Sequence, residues 1–316
     1  MRFTNEAAAN AFRVLDKCCA ELEPAGPWRW RCLVQNGVRL PLSASLEEGF
    51  LQLAGRPVTM RKCPRALEQA LLENGTLAGG VKFALDAQSR VLHLRTDIVL
   101  VDETQLLDRM QWALDGFHHG YRWLKSSDFY AGDGASAAPV SMPDVVAAST
   151  PALLDGPALP EETGASLGER LRETSWACTE RSPGDFSAEL AADSAPPARI
   201  RMSERGLVFS VELARFAAAE ASRRALAVFL LTASGALRMV RAHAAEADEQ
   251  WSFGLQVFLP PAPAAEEIDH ALAALSIAYR TCAREANVLL DEAAARCYLT
   301  ARDVPTTYDQ EPEKEN

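Results

Sequence analysis

The sequence contains no run of about 18 apolar residues, the length that a transmembrane helix needs. Its amino-terminal stretch is amphipathic and interrupted by charged side chains, whereas a secretory signal requires an uninterrupted apolar core. These two absences predict a protein of the cytoplasm that makes no contact with a membrane.

Signatures of metal binding and catalysis are also scarce. The seven cysteines form no CxxC pair, so neither a zinc ribbon nor a thioredoxin-type site is indicated. No SxxK or HExxH motif occurs. The adjacent His118 and His119 would point about 100° apart on a helix, so they cannot chelate one ion as an i, i+4 pair does. We therefore predict no catalytic, metal-binding or cofactor-binding residue and no enzymatic activity.

Charge is unevenly distributed along the chain, whose net charge is −11. Residues 127–163 contribute −6 and residues 303–316 contribute −4, so the rest of the chain is close to neutral. The stretch 127–163 is rich in Ala, Pro, Gly and Ser and shows no sustained period, which predicts a disordered linker. The end of the chain predicts a disordered acidic tail. A large basic surface for nucleic acid is not indicated.

The part before the linker, residues 1–126, predicts one α+β module. Hydrophobic periodicity and turn residues define its elements. They are a helix over 5–22, strands over 28–34, 38–42 and 50–53, a helix over 64–73, strands over 81–85 and 91–100, and a closing helix over 103–125. The predicted order is α-β-β-β-α-β-β-α, an antiparallel sheet with helices.

Residues 164–302 repeat this order. The predicted elements are a helix over 166–173, strands over 176–179, 186–190, 199–202 and 207–213, a helix over 221–231, strands over 237–242 and 251–259, and a closing helix over 264–294. The last strands align without a gap, so that Ile98 matches Leu259. The closing helices continue this alignment, with Leu114 matching Leu275, and Gly49 is matched with Gly206. We therefore predict two tandem copies of one module.

Two stretches carry a resemblance to a known family. VKFALDAQSRVLHLRTDIVLVDETQLLDRMQWAL and LRMVRAHAAEADEQWSFGLQVFLPPAPAAEEIDHALAAL each look like a hairpin followed by a long helix. Together with the element order, they make residues 1–126 and 164–296 resemble the class I type III secretion chaperone fold, which is shared by bacterial YbjN-like proteins.

The resemblance implies a mode of pairing and a function. Modules of that family pair through the middle helix and an adjacent strand, so two copies in one chain are expected to form an internal pseudo-dimer and to remain a monomer. The residues expected at the contact between modules are Leu67, Leu71, Leu226 and Leu230. The resemblance further implies a non-enzymatic, chaperone-like module that takes up an unknown peptide or partner protein on apolar surfaces, without a cofactor.

Two alternatives remain open. One is an enzyme whose site forms between the two copies from scattered residues. The other is a single-stranded nucleic-acid binder that uses Trp28, Trp30 and Arg31. Trp28 and Trp30 are predicted to share one strand face, with Arg31 on the other.

Overall fold

The computed structural model describes residues 5–35, 39–47, 49–55, 58–59, 65–86, 91–100, 103–126, 164–203, 206–217, 219–248 and 250–304. The predicted linker at 127–163 lies outside the described residues. So does the predicted acidic tail, apart from its first two residues.

The described residues form seven helices and thirteen strands. Those of the first half are α1 (Asn5–Cys18), β1 (Cys19–Gly26), β2 (Arg29–Gln35), β3 (Arg39–Glu47), β4 (Phe50–Gly55), β5 (Val58–Thr59), α2 (Arg65–Glu73), β6 (Lys82–Asp86), β7 (Val91–Val99) and α3 (Glu103–Ser126). Those of the second half are α4 (Gly164–Glu173), β8 (Cys178–Ser182), β9 (Asp185–Ala188), β10 (Ala198–Ser203), β11 (Gly206–Phe216), α5 (Glu220–Ala236), β12 (Val240–Ala247), β13 (Gln250–Leu259), α6 (Ala265–Val288) and α7 (Glu292–Ala301).

The two sheets share one strand order. The first runs β1-β2-β3-β4-β7, with β6 and the two-residue β5 both paired to β7. The second runs β8-β9-β10-β11-β13-β12. In each repeat, four antiparallel strands follow one another, and the second strand of the hairpin then pairs with the fourth. The prediction of an α+β fold with two similar modules is confirmed. The predicted order of three strands before the middle helix is wrong, because four successive paired strands precede it in each repeat.

The first helix is shorter than predicted. α1 ends at Cys18, so the prediction of a helix up to residue 22 is wrong. The following residues form β1, which pairs with β2 from Cys19 opposite Val34 to Gly26 opposite Arg29. β1 is the outermost strand of its sheet, a position that tolerates Pro24 because an edge strand can lack one amide donor.

The closing helix of the second repeat is interrupted. α6 ends at Val288 and α7 begins at Glu292, so the prediction of one continuous helix over 264–294 is wrong. Asp291 is the N-cap of α7, and its side chain accepts a hydrogen bond from the backbone N–H of Ala294 at 2.9 Å. An N-cap aspartate satisfies a free amide of the first turn, which favours a new helix start at this point.

The predicted alignment of the last strands and that of the strands beside them differ by one position once strand pairing is considered. Ile98 pairs with Leu51, and its equivalent Leu259 pairs with Leu207. Leu207 is therefore the equivalent of Leu51. The predicted match of Gly206 with residue 49 is wrong by one position.

The closing helices bury the apolar stripes that their spacing predicts. The buried members are Met110, Leu114, Phe117 and Tyr121 on α3, and Ile268, Ala271, Leu275, Ala278 and Cys282 on α6. α6 packs on β11 and β13. On the first sheet, β4 and β7 alternate between buried and half-buried residues, as expected for strands with one face toward the core.

The chain divides into two compact units whose limits differ from those of the repeats. The first unit comprises residues 1–57, 78–81 and 93–161, and the second comprises 58–77, 82–92 and 162–316. The second unit therefore contains α2 and β6 of the first repeat together with the second repeat.

Candidate functional site

The four leucines predicted at the contact between modules are all buried. Leu67 on α2 is 6% exposed, and Leu71, Leu226 and Leu230 are fully buried. α2 and α5, which carry these residues, contact each other within the second unit. Pairing of the repeats as a pseudo-dimer stays a prediction.

Each middle helix also contacts the first hairpin strand of the other repeat: α2 lies against β12, and α5 lies against β6. A glycine lies near the end of each helix at this contact: Gly75 is two residues after α2, and Gly235 is the second-last residue of α5. A Cβ added at Gly75 would lie 3.5 Å from the carbonyl oxygen of Ala244, and one added at Gly235 would lie 3.7 Å from that of Leu85. We call these reciprocal contacts of residues 65–77 and 82–86 with residues 220–248 and 250–256, all within the second unit, the seam.

A polar side chain at the end of each middle helix holds its own hairpin in register. The side-chain oxygen of Asn74 accepts a hydrogen bond from the Phe83 amide at 2.7 Å, and the hydroxyl of Ser234 accepts one from the Ala242 amide at 2.9 Å. Asn74 and Ser234 are fully buried. Asn74 also donates across the seam to the carbonyl of Ala242 at 2.9 Å. The two positions are therefore equivalent in role.

Two buried cations lie in the seam, one from each repeat. Lys82 is 1% exposed, and its Nζ donates to the carbonyls of Leu237 at 2.6 Å and Val240 at 3.1 Å. Arg241 is 2% exposed, and its guanidinium donates to the carbonyl of Leu77 at 2.6 Å. Burying a cation is costly unless its N–H groups are hydrogen-bonded, and here backbone carbonyls accept these hydrogen bonds.

The pKa values around Arg241 follow from burial. Burial lowers the pKa of Arg241 to about 9, against the opposing effect of Glu73, so the guanidinium keeps its charge at neutral pH. Burial also lowers the pKa of His243 to about 4, and the charge of Arg241 adds to this effect. His243 is therefore neutral at pH 7 and lies over Gly254, where an added Cβ would be 2.8 Å from its Nε2.

A groove crosses β1 to β4 in the first unit. Its volume is about 400 Å³. The residues that line it are Glu21, Glu23, Arg31, Cys32, Leu33, Pro41, Leu42, Ser43, Ala54 and Gly55. Since Cys32, Leu42 and Gly55 are buried on the core side, the alternation of strands places Leu33, Pro41, Ser43 and Ala54 on the open face. Glu21, Glu23 and Arg31 add charge to a floor that is apolar apart from Ser43.

The aromatic residues considered for nucleic-acid binding do not form one platform. Trp28 lies in the turn between β1 and β2 with φ +57° and is 48% exposed, so the prediction that it shares a strand face with Trp30 is wrong. The ring centroid of Trp30 lies 6.3 Å from that of Phe12 on α1. Arg31, on the opposite face from Trp30, lines the groove.

One string of a catalytic type does occur in the sequence. Gly-Ala-Ser-Leu-Gly at 164–168 has the GxSxG spacing, but it lies inside α4. A nucleophile elbow instead places its serine on a sharp turn between a strand and a helix. Burial raises the pKa of the Cys18 and Cys282 thiols to about 11, so both are protonated at neutral pH and poor nucleophiles.

Histidines and acids do not converge in the described part of the chain. No group of three or more His, Cys, Asp or Glu side chains there is placed to hold a metal ion. Burial lowers the pKa of His118, and the nearby Arg122 adds to this effect. None of the described helices has the length and apolar character needed to cross a membrane.

Comparison with known proteins adds no family assignment. No family model, curated protein or solved structure matches the chain.

Proposed function

We propose that this chain is a non-enzymatic, chaperone-like protein-binding module that takes up a short segment of a partner protein in the groove of the first sheet. The observation that carries the proposal is the groove itself, an open apolar floor across four strands with charged residues along it. Its volume of about 400 Å³ lies within the range of ligand sites, roughly 300–1,000 Å³.

The floor and the charged residues favour one class of ligand. Leu33, Pro41 and Ala54 offer apolar surface, and burial of an apolar side chain contributes about 1.5–3 kcal/mol. Glu21 and Glu23 outnumber Arg31, so a basic residue beside the apolar ones gains electrostatic complementarity. We expect a peptide with apolar side chains next to a Lys or Arg, bound with a Kd on the order of 1–100 µM.

The proposal includes pairing of the repeats as an internal pseudo-dimer. The reciprocal contacts of α2 with β12 and of α5 with β6 support it, because a two-fold arrangement produces each contact twice. It also includes a cytoplasmic location, in keeping with the free thiols of the described cysteines.

Fluorescence anisotropy with a panel of fluorescent peptides tests the proposal. Twelve-residue peptides that combine apolar and basic residues are titrated with the intact chain. Ser43→Trp places a large ring in the groove at an exposed position and is expected to weaken binding about tenfold or more, since the ring occupies the apolar floor.

Ser187→Trp is the matched control, because Ser187 lies on the open face of the second sheet on β9. It is expected to bind the same peptides as the unmodified chain does. The proposal is contradicted if no peptide binds above background, or if Ser43→Trp binds as tightly as the control.

A further inference from the structure

Backbone carbonyls after each middle helix need hydrogen-bond donors. α5 ends at Ala236 with Leu237 as its C-cap, and α2 ends at Glu73 before a turn that reaches Leu77. The carbonyls of Leu77 and Leu237 lie beyond the backbone hydrogen bonds that end these helices, and a buried carbonyl needs a donor. A cation at this end is therefore favourable.

The cation at each end comes from the other repeat. Lys82, on β6 of the first repeat, donates to the carbonyl of Leu237 after α5. Arg241, on β12 of the second repeat, donates to the carbonyl of Leu77 after α2. Lys82 and Arg241 are equivalent positions, because each directly precedes the residue whose amide is held by Asn74 or Ser234.

We infer that Lys82 and Arg241 are exchanged caps of the turns after the two middle helices and that they determine which surface the seam accepts. The structure gives each repeat a buried cation and a turn of carbonyls, and the cation of one fits the turn of the other. A partner surface without such a turn would take these carbonyl acceptors away from a buried cation, which is unfavourable. The seam therefore selects a helix, turn and strand of this same kind.

The occupant of the seam is the other repeat of the same chain. Gln256 supports this assignment, because its side-chain amide donates to the carbonyl of Asn74 at 2.9 Å and adds a further contact to the turn after α2. The inference rests on the proposed pairing of the repeats, but it does not depend on peptide binding in the groove, so a failure of peptide binding leaves it unaffected.

Hydrogen exchange on the intact chain, followed by mass spectrometry, tests the exchange of caps. Lys82→Met is expected to raise exchange by about tenfold or more in the turn 237–240, with little change in the turn 74–77. Arg241→Met is expected to give the reverse pattern. An effect that crosses from one repeat to the other is the signature of exchanged caps.

Arg224→Met is the matched control, because Arg224 is a fully buried guanidinium that pairs with Glu220 of its own helix at 3.2 Å. Arg224 donates to neither turn in the contacts above, so its replacement should not show the reciprocal pattern in the turns 237–240 and 74–77. The inference is overturned if the two seam variants alter only the repeat that carries the substitution, or loosen the whole unit evenly.

Two measurements on the unmodified chain apply even where a variant fails to fold. The amine of Lys82 should react with an N-hydroxysuccinimide ester at least about tenfold more slowly than that of Lys17, which is exposed. The mass in solution should be that of one chain from about 1 to about 50 µM. Equal reactivity, or a dimer that exchanges its halves, would overturn the assignment within one chain.

Discussion

Replacing Leu67 with glutamate tests whether the apolar side of α2 holds the second unit together. Leu67 is 6% exposed, so the change removes a buried side chain that contributes about 1.5–3 kcal/mol. It also places a carboxyl group among apolar neighbours, which costs several kcal/mol more in its charged form. We expect a loss of about 4 kcal/mol or more in the free energy of unfolding at pH 7.

The loss from Leu67→Glu has a predictable dependence on pH. Burial raises the pKa of the introduced carboxyl above its unfolded value of about 4.3. Between the two pKa values the folded variant binds more protons than the unfolded one, so its stability falls as pH rises. Relative to the unmodified chain, the deficit should be smallest near pH 4.5 and grow by up to about 1.4 kcal/mol per pH unit.

Urea unfolding at pH 5 and pH 7, with hydrogen exchange of α2 and β12, measures both effects. Gln69→Glu is the matched control, because Gln69 is exposed on the same helix and gains the same charge. It should change the free energy of unfolding by no more than about 0.5 kcal/mol. If Leu67→Glu behaves as this control does, α2 does not contribute its apolar side to the unit.

Three further predictions concern stability. Leu114→Ala and Leu275→Ala each remove a buried side chain of a closing helix and should cost about 2–5 kcal/mol in thermal or urea unfolding; no loss in either would refute their place in the core. His243 has its pKa lowered to about 4, so the folded state binds fewer protons than the unfolded state between pH 4 and about 6.5. The free energy of unfolding should therefore fall as pH falls through this window, by at most about 3 kcal/mol because part of the ring is exposed. His243→Gln should remove this pH dependence. Gly254→Ala should cost about 1–3 kcal/mol in the free energy of unfolding, since its Cβ would lie 2.8 Å from the carbonyl oxygen of Val211. The Cβ of Gly235→Ala would meet nothing closer than 3.7 Å, so this variant should gain up to about 1 kcal/mol. Equal effects of the two variants in urea unfolding would refute the geometry.

The repeated element order was predictable because its signals are local. Alternation in β7 and its gapless match to β13 identify the last strands, and the spacing of Leu114 and its neighbours identifies the closing helices. These patterns arise from burial of one face, which the sequence records directly.

The end of α1 was not predictable from periodicity, because a bulge imitates helical spacing. Cys19 and Leu22 are three residues apart, as on a helix face, and both are half-buried in β1. The register of β1 shifts between Cys19 and Glu21, and this irregularity turns both residues to the same side. A regular strand would place them on opposite faces, so the pattern indicated a helix.

The break between α6 and α7 was hidden for a related reason. Leu289, Ala295 and Leu299 are all buried, so buried apolar residues continue on both sides of the interruption. The only local signal is Asp291 followed by Glu292, a capping residue and an acid in the first turn. Periodicity reports which residues face the core, and it does not report whether the backbone between them is continuous.

The sequence pattern around the two seam cations can be recognised only when the two repeats are compared. Val81-Lys82 and Val240-Arg241 are the same pattern, a lone cation that opens an apolar strand. Asn74-Gly75 and Ser234-Gly235 are likewise the same pattern at the end of the middle helix. From one repeat alone, Lys82 would be predicted to face solvent, because lysine is rarely fully buried without partners. Its acceptors, the carbonyls of Leu237 and Val240, lie 155 and 158 residues away, and backbone carbonyls carry no sequence signature. The burial of each cation against backbone carbonyls of the other repeat therefore depends on the folded arrangement of both repeats. In the sequence, only the duplication of the pattern indicates it.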